Sequence, residues 1–359
     1  MMLIMKKLFL LAFLLFGVMR VWAYKWTNSD GVTWTFTLSG SNATIYGADF
    51  TYGEMVIPSK VYYNSTAYTV TGIGDDAFLQ RADLTVVTIP EGVTSIGKRA
   101  FQDCSSLVSI NIPSSVTNIG ASAFFCCFNL KKVIVPDISA WCDIFFGFDD
   151  DYNNPAYDIN TDDKNAKFYA SPLFYAHHLY SDDNTEIIDL VIPENVKSVN
   201  WGTFYGCMAL QSVTISEGVS NVAWYSFADC PSLSTVTLPS TISFLDDGAF
   251  QYCPNLTNVY VYKETPVSIS SNTFSNYDNA KLHVPSGCKD AYAASDYWQD
   301  FSDIIEMSPL GVNGIIVDDG ANVSNVEKGA WYTLDGRMIS GKPMQKGIYI
   351  QNRKKQMVK

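Results

Sequence analysis

The chain contains a unit that recurs every 23 residues, and this repeat constrains its fold more than any other feature. The unit has the pattern I-x-x-x-A-F-x-x-C-x-x-L-x-x-V-x-I-P, and its phenylalanine is the clearest marker. That residue recurs at Phe78, Phe101, Phe124, Phe204, Phe227, Phe250 and, one residue late, Phe274. A fixed period in this range predicts a solenoid, in which each coil buries its apolar face against its neighbours.

The second half of each unit predicts a short strand. In L-x-x-V-x-I, the paired aliphatics alternate with polar residues at period two, as they do in a half-buried strand. Strands from stacked coils would form a parallel sheet along one face, with a spacing of about 4.8 Å. The proline ends each strand because it has no N–H to donate. The Phe, Leu and aliphatic positions are therefore predicted to point into a shared core.

The motif also resembles a known family. L-x-x-V-x-I-P followed by V-x-x-I-x-x-x-A-F is similar to the BspA-like leucine-rich repeats of bacterial surface proteins, over about residues 55–305. The resemblance implies a curved leucine-rich-repeat solenoid, mainly β, displayed outside the cell and without catalytic residues. It implies binding of a protein or glycan partner, as in adhesion. The alternatives are a structural spacer and an accessory of a surface enzyme system without its own catalysis.

The N-terminus predicts export. Lys6 and Lys7 precede an apolar run, and small residues lead to a cleavage position after Ala23, so residues 1–23 are predicted to be a signal peptide. The run is too short to span a bilayer comfortably. We therefore expect no transmembrane segment in the mature chain.

The rest of the chain is predicted to contain a cap, a solenoid and a tail. Residues 24–72 are rich in Thr, Tyr and Trp and predict an N-terminal β cap with a first degenerate repeat. Residues 73–307 form the solenoid, with an acidic insertion near 149–167 where the spacing breaks. A short helix over 288–298, with Ser286 as its N-cap, is predicted to seal the C-terminal end.

Residues 308–359 predict a linker and a small β hairpin tail, with turns at Asp335-Gly336 and Asn352-Arg353. The L-D-G-R and K-G-I-Y-I stretches and the terminal lysine resemble the sorting domain of type IX secretion in Bacteroidota. The resemblance implies contact with the secretion machinery. It also implies secretion or display at the outer membrane of a Gram-negative bacterium. The alternative is a β cap without a sorting role.

The formal net charge of −12 argues against a nucleic-acid partner, because phosphates would repel the chain. Its acidity favours solubility of an exposed solenoid over cation binding. Asp149 opens a stretch like a calcium loop, but Asn154 and Asn160 stand where that loop needs Gly and Glu. The three histidines fit no metal or nucleophile motif. We predict no metal, no cofactor and no catalytic residue.

One cysteine position recurs in the repeat, at Cys104, Cys127, Cys207, Cys230 and Cys253. Stacked positions about 4.8 Å apart lie within reach of a disulfide. Equivalent side chains, however, leave the backbone in parallel, and Cys also packs as a small buried hydrophobe. We predict buried free thiols.

Candidate binding residues lie on the outer face of the predicted sheet. Because side chains alternate along a strand, the residues eight and ten after each phenylalanine form two outward columns. The columns are mostly small and polar, so they also suit a face with no partner. The predicted binding residues are Asn111, Lys132, Ile134, Thr214, Thr237, Asn258 and Tyr260, with Tyr152 from the insertion. Aromatic anchors are common at interfaces, which singles out the two tyrosines.

Overall fold

The computed structural model describes residues 23–49, 53–147 and 170–307, and the backbone of four strands beyond them. The predicted signal peptide, the insertion at 149–167 and the linker after 307 lie outside the described residues. The first six strands are β1 (Tyr24–Thr27), β2 (Thr33–Ser39), β3 (Asn42–Asp49), β4 (Gly53–Val56), β5 (Lys60–Tyr63) and β6 (Thr66–Ile73). The next elements are β7 (Leu84–Thr88), β8 (Ser95–Ile96), β9 (Ser109–Asn111), β10 (Asn118–Ile119), β11 (Lys132–Ile134), helix α1 (Ile138–Asp143) and β12 (Phe145–Phe146).

The second half has the same arrangement. Its elements are α2 (Leu173–Ala176), β13 (Leu179–Tyr180), β14 (Asp189–Ile192), β15 (Ser198–Val199), β16 (Ser212–Ile215), β17 (Asn221–Val222), β18 (Thr235–Leu238), β19 (Phe244–Leu245), β20 (Asn258–Val261), β21 (Lys281–Pro285), α3 (Lys289–Ala293), a 3-10 helix (Trp298–Asp300) and β22 (Asp303–Met307). The tail strands are β23 (Trp331–Tyr332), β24 (Met338–Ile339), β25 (Gly347–Gln351) and β26 (Lys354–Val358).

The repeat forms two parallel ladders. Its L-x-x-V-x-I segments build the sheets β13-β11-β9-β7-β4 and β14-β16-β18-β20-β21-β22, which confirms the predicted parallel sheet. Each strand is in register with the next coil, so that Ser212 pairs with Thr235 and Thr235 with Asn258. The V-x-x-I segments add a second ladder of two-residue strands, β8-β10-β12 in the first half and β15-β17-β19 in the second. The solenoid is thus hydrogen-bonded from coil to coil along two faces.

A column of stacked phenylalanines fills the core. In the first half, the ring centroid of Phe101 lies 5.3 Å from that of Phe78 and 5.4 Å from that of Phe124. The second column continues in the same way, with spacings of 5.1, 5.3 and 5.2 Å through Phe204, Phe227, Phe250 and Phe274. All seven side chains are buried, as the repeat pattern predicts. Stacked rings of this kind add stabilisation to that which comes from burying their apolar surface.

The turn around each phenylalanine has a special backbone. In six coils the residues two before and two after it have positive φ: Asp76 and Gln80, Arg99 and Asp103, Ser122 and Cys126, Gly202 and Gly206, Tyr225 and Asp229, Gly248 and Tyr252. Most are not glycine, although this conformation is unfavourable for other residues. Hydrogen bonds between coils hold it, such as Phe227 N–H to the Ala249 carbonyl at 2.9 Å.

Helix α1, at the end of the first half, packs against the second half where the repeat is interrupted. Asp137 caps its N-terminus, accepting from the amides of Ser139 and Ala140. Trp141 is buried, and its Nε1–H donates to the carbonyl oxygen of Thr203 at 3.0 Å. The Asn200 side chain donates to the Cys142 carbonyl oxygen at 2.9 Å. The Ser139 hydroxyl also donates to Asn195 Oδ1 at 3.0 Å, so three hydrogen bonds link this helix to the first coil of the second half.

The ends of the solenoid are closed differently. At the N-terminal end, β1, β2 and β3 are antiparallel, and β5 and β6 form a hairpin. At the C-terminal end, β22 completes the sheet, but the helix is shorter than predicted and Ser286 does not cap it. Glu306 Oε1 instead accepts from the amides of Gly287 and Lys289, at 3.0 and 3.2 Å. Beyond the solenoid, β23–β26 form a four-stranded antiparallel sheet.

Candidate binding surface

The outer face of the main sheets carries the predicted binding residues. In β16, β18 and β20 the burial pattern alternates, with the aliphatics buried and the intervening side chains half-exposed. Thr214, Thr237 and Tyr260 therefore occupy one column, and Asn258 lies in the other. In the first half, Asn111 and Ile134 are direct neighbours in the ladder. Alternation thus orients the side chains as predicted, whereas their binding role stays a prediction.

Lys132 is held at the junction of the two main sheets. Its Nζ donates to the Asp183 carbonyl oxygen at 2.6 Å and lies 5.0 Å from the Tyr180 ring centroid. Tyr180 pairs with Ile134 on one side and forms an antiparallel bridge with Glu186 on the other. The positively charged ammonium group of Lys132 is therefore fixed at the point where the chain passes from one sheet to the next.

Tyr260 belongs to a fixed aromatic pair. Its ring stacks on His283 with centroids 4.2 Å apart and an interplanar angle of 15°. His283 Nε2 lies 3.0 Å from Asn258 Oδ1. On these adjacent strands Tyr260 and Asn258 are half-exposed and His283 is buried, so the three side chains form a fixed platform that exposes Tyr260 and Asn258. The repeat spacing identified Tyr260 and Asn258 but not His283, because His283 follows Phe274 by nine residues where Tyr260 follows Phe250 by ten, although the two residues pair directly in the ladder.

Asn111 and Tyr152 have different outcomes. Both polar atoms of the Asn111 amide bond to the backbone of Ile89, accepting from its N–H at 2.6 Å and donating to its carbonyl at 2.9 Å. That amide therefore secures the end of a neighbouring strand. Tyr152 lies outside the described residues.

The recurring cysteines serve the core. All eight cysteines are free thiols. The Sγ–H of Cys104 donates to the Phe78 carbonyl oxygen at 3.1 Å. The Sγ–H of Cys127 donates to the Phe101 carbonyl oxygen at the same distance. Burial raises the pKa of Cys104 to about 12. Because the thiolate is the reactive form, such cysteines are poor nucleophiles.

The histidines also have structural partners. His177 Nδ1 lies 3.0 Å from the Gly206 carbonyl oxygen, and His178 Nδ1 lies 2.5 Å from Glu186 Oε1. Within the described ranges, His, Cys, Asp and Glu do not form a group of three or more suited to a metal ion. The calcium-like stretch from Asp149 falls outside those ranges. No helix in the described part of the chain is long and apolar enough to cross a membrane.

Comparison with known proteins identifies the family. The model of the BspA type leucine-rich repeat region matches six copies, over residues 60–144 and 179–295. No curated protein matches. Among solved structures, a leucine-rich repeat protein of T. pallidum is 19% identical, with 67% of this chain and 81% of that one covered and a TM-score of 0.33. One from Bacteroides ovatus is 19% identical, with coverages of 77% and 75% and a TM-score of 0.37. A leucine-rich cell surface protein of Faecalibacterium prausnitzii is 18% identical, with coverages of 79% and 95% and a TM-score of 0.31. The chain belongs to the BspA-type leucine-rich repeat proteins.

Proposed function

We propose that this chain is a non-catalytic exported protein that binds a protein or glycan partner with the outer face of its main sheets, in adhesion or another surface interaction. The observation that carries the proposal is the Tyr260–His283–Asn258 platform on adjacent strands. Ladder hydrogen bonds hold these strands, so little conformational entropy is lost when a partner binds. An aromatic residue with a polar neighbour is also a common interface anchor.

We place the protein outside the cell. The predicted signal peptide and the surface proteins of the BspA-like family support this location. A cell surface protein from Faecalibacterium prausnitzii is among the similar solved structures. The tail resembles a sorting domain, which supports an outer-membrane route in a Gram-negative bacterium. A spacer is the alternative function, since all four outward side chains of β16 and β18 are Ser or Thr.

Replacing the platform tyrosine and the junction lysine tests the binding face. A screen of the protein against extracellular-matrix proteins and glycans first identifies a partner. Tyr260→Ala combined with Lys132→Glu is then expected to weaken that binding about tenfold or more, because an aromatic anchor and a cation are lost. Surface plasmon resonance measures the affinity, and circular dichroism checks the fold.

Phe244→Ala is the matched control for the aromatic loss. Phe244 is 51% exposed and lies in β19 of the second ladder, away from the main sheet. The control is expected to bind as the wild type does. Unchanged affinity in the double variant, or an equal loss in the control, would rule out this face.

Deleting residues 310–359 tests the sorting role of the tail. We expect the shortened protein to keep the thermal unfolding midpoint of the solenoid but to lose surface display. The reason is that β22 and α3 already close the solenoid before the deletion point. Surface labelling of cells measures display. Normal display would show that the tail does not sort the protein, and unfolding would show that it is a cap.

A further inference from the structure

A second candidate surface lies on the turn side of the solenoid, where aromatic rings follow one another across the interruption. Phe128 contacts Tyr175 edge-to-face at 5.7 Å between centroids, and Tyr175 contacts Phe174 at 5.1 Å. Phe174 then stacks on Tyr205 at 5.8 Å. We call these four rings, with Tyr252 and the carboxylates of Asp103 and Asp229, the aromatic strip.

Two carboxylates and a further ring extend the strip along the repeat. Asp103 occupies the position two after its phenylalanine, and Asp229 and Tyr252 occupy it in two successive later coils. The Asp229 amide donates to the Gln251 carbonyl oxygen at 2.8 Å, which joins these two coils at the turn. Burial and the nearby Asp229 carboxylate raise the pKa of Tyr205 to about 12, so its hydroxyl stays neutral.

The backbone under the strip is fixed. The hydroxyl oxygen of Tyr175 accepts from the Cys126 amide at 3.1 Å, which ties α2 to the preceding coil. Asp229 and Tyr252 both project from turns with positive φ that hydrogen bonds between coils hold. A pre-positioned surface of this kind binds with a smaller entropic cost than a loop that must be ordered.

The strip exposes aromatic side chains that are not part of the buried core. Phe128 is 71% exposed and Tyr252 is 61% exposed. The core beneath them is already filled by the buried phenylalanine columns. Contiguous exposed apolar surface rimmed by polar groups marks interaction sites in soluble proteins.

The negative charge of the second half favours a positively charged partner. Residues 170–307 contain sixteen Asp and Glu, four Lys and no Arg. Residues 23–147, in contrast, contain ten acidic and seven basic residues. The potential around the second half therefore attracts cations. Tyr and Phe faces also attract Lys and Arg side chains through cation–π interaction, and the flanking carboxylates add ion pairs.

We infer that the aromatic strip docks a cationic polypeptide segment, with Arg or Lys side chains lying over the rings and pairing with Asp103 and Asp229. The surface is separate from the strand face, so this inference does not depend on the partner proposed there. A neutral glycan could use the rings but would gain nothing from the acidic potential.

Peptide binding to the full-length protein tests the inference. The probe is a fluorescent peptide of arginines spaced by Gly-Ser. Its counterparts are the same peptide with glutamate for arginine and a neutral cello-oligosaccharide. We expect fluorescence anisotropy to show saturable binding of the arginine peptide only. Binding should weaken as salt is raised, because exposed charge interactions are screened.

Variants locate the contact. Tyr252→Asn combined with Asp229→Asn removes a ring and a carboxylate while placing at both positions a residue that tolerates positive φ. We expect this pair to weaken the arginine peptide about tenfold, as the loss of one cation–π contact and one ion pair requires. Glu54→Gln removes an equal charge from β4, far along the chain, and Phe244→Ala removes a ring from the second ladder. Both controls should bind normally, as should Tyr260→Ala on the strand face.

Each other outcome overturns the inference. Binding of the oligosaccharide but not the arginine peptide would assign the rings to a glycan. Equal weakening by Glu54→Gln, or none by the strip pair, would show attraction to net charge alone. No binding of the arginine peptide would show that the strip does not recognise cations. Thermal unfolding measured by circular dichroism confirms that every variant is folded.

Discussion

Phe227→Ala is expected to lower the free energy of unfolding by about 3–5 kcal/mol. Phe227 is fully buried, and its ring lies between Phe204 and Phe250 at 5.1 and 5.3 Å. Truncation removes both stacking contacts and leaves a cavity in the middle of the column. Equilibrium unfolding in guanidinium chloride measures the loss, and the slope of the transition shows whether it remains cooperative.

The matched control is Phe244→Ala, which removes the same side chain from an exposed position in β19. It is expected to change the free energy of unfolding by less than about 0.5 kcal/mol, as ordinary surface substitutions do. A loss below about 1 kcal/mol for Phe227→Ala would show that the stacked column contributes little to the core.

Trp141→Ala is expected to be as costly, about 3–5 kcal/mol, and to uncouple the two halves. The indole fills the core at the interruption, packs edge-to-face on Phe146 at 5.4 Å, and donates to the Thr203 carbonyl oxygen. In a solenoid each coil is stabilised mainly by its neighbours, so loss of one interface lets the two sides unfold separately. Equilibrium unfolding should then broaden or split into two transitions.

Trp141→Phe separates packing from hydrogen bonding at this junction. The phenyl ring keeps much of the buried volume but cannot donate to Thr203. We expect this variant to lower the free energy of unfolding by about 1–3 kcal/mol, which is the cost of leaving a buried carbonyl without its hydrogen bond. A single unfolding transition should be retained. Two transitions in this variant would assign the coupling to the hydrogen bond.

The periodic features were predictable because every coil repeats the same physical requirement. Phe101, Cys104 and Ile110 are each buried as the motif indicates. The V-x-x-I ladder was not predicted, since two apolar residues three apart give no period-two signal. The positive φ values in the turns were also hidden, because residues such as Arg99 and Tyr225 occupy positions that normally suggest glycine.

Features that depend on distant residues could not be predicted from the repeat. Ser286 fitted the residue preference of an N-cap, but the Glu306 carboxylate performs that role from the next strand. On the strand face, alternation oriented Lys132 and Tyr260 correctly. Their partners Asp183 and His283 come from segments where the spacing is irregular.

Hydrogen exchange of the wild type and Trp141→Ala, followed by mass spectrometry, tests most directly whether the two halves form one solenoid. We expect amides of β11 and β16, on either side of the interruption, to be protected to the same high degree in the wild type, because they open in one cooperative unit. In Trp141→Ala the two strands should differ in protection. Unequal protection in the wild type, or no change in the variant, would contradict a continuous core across the interruption.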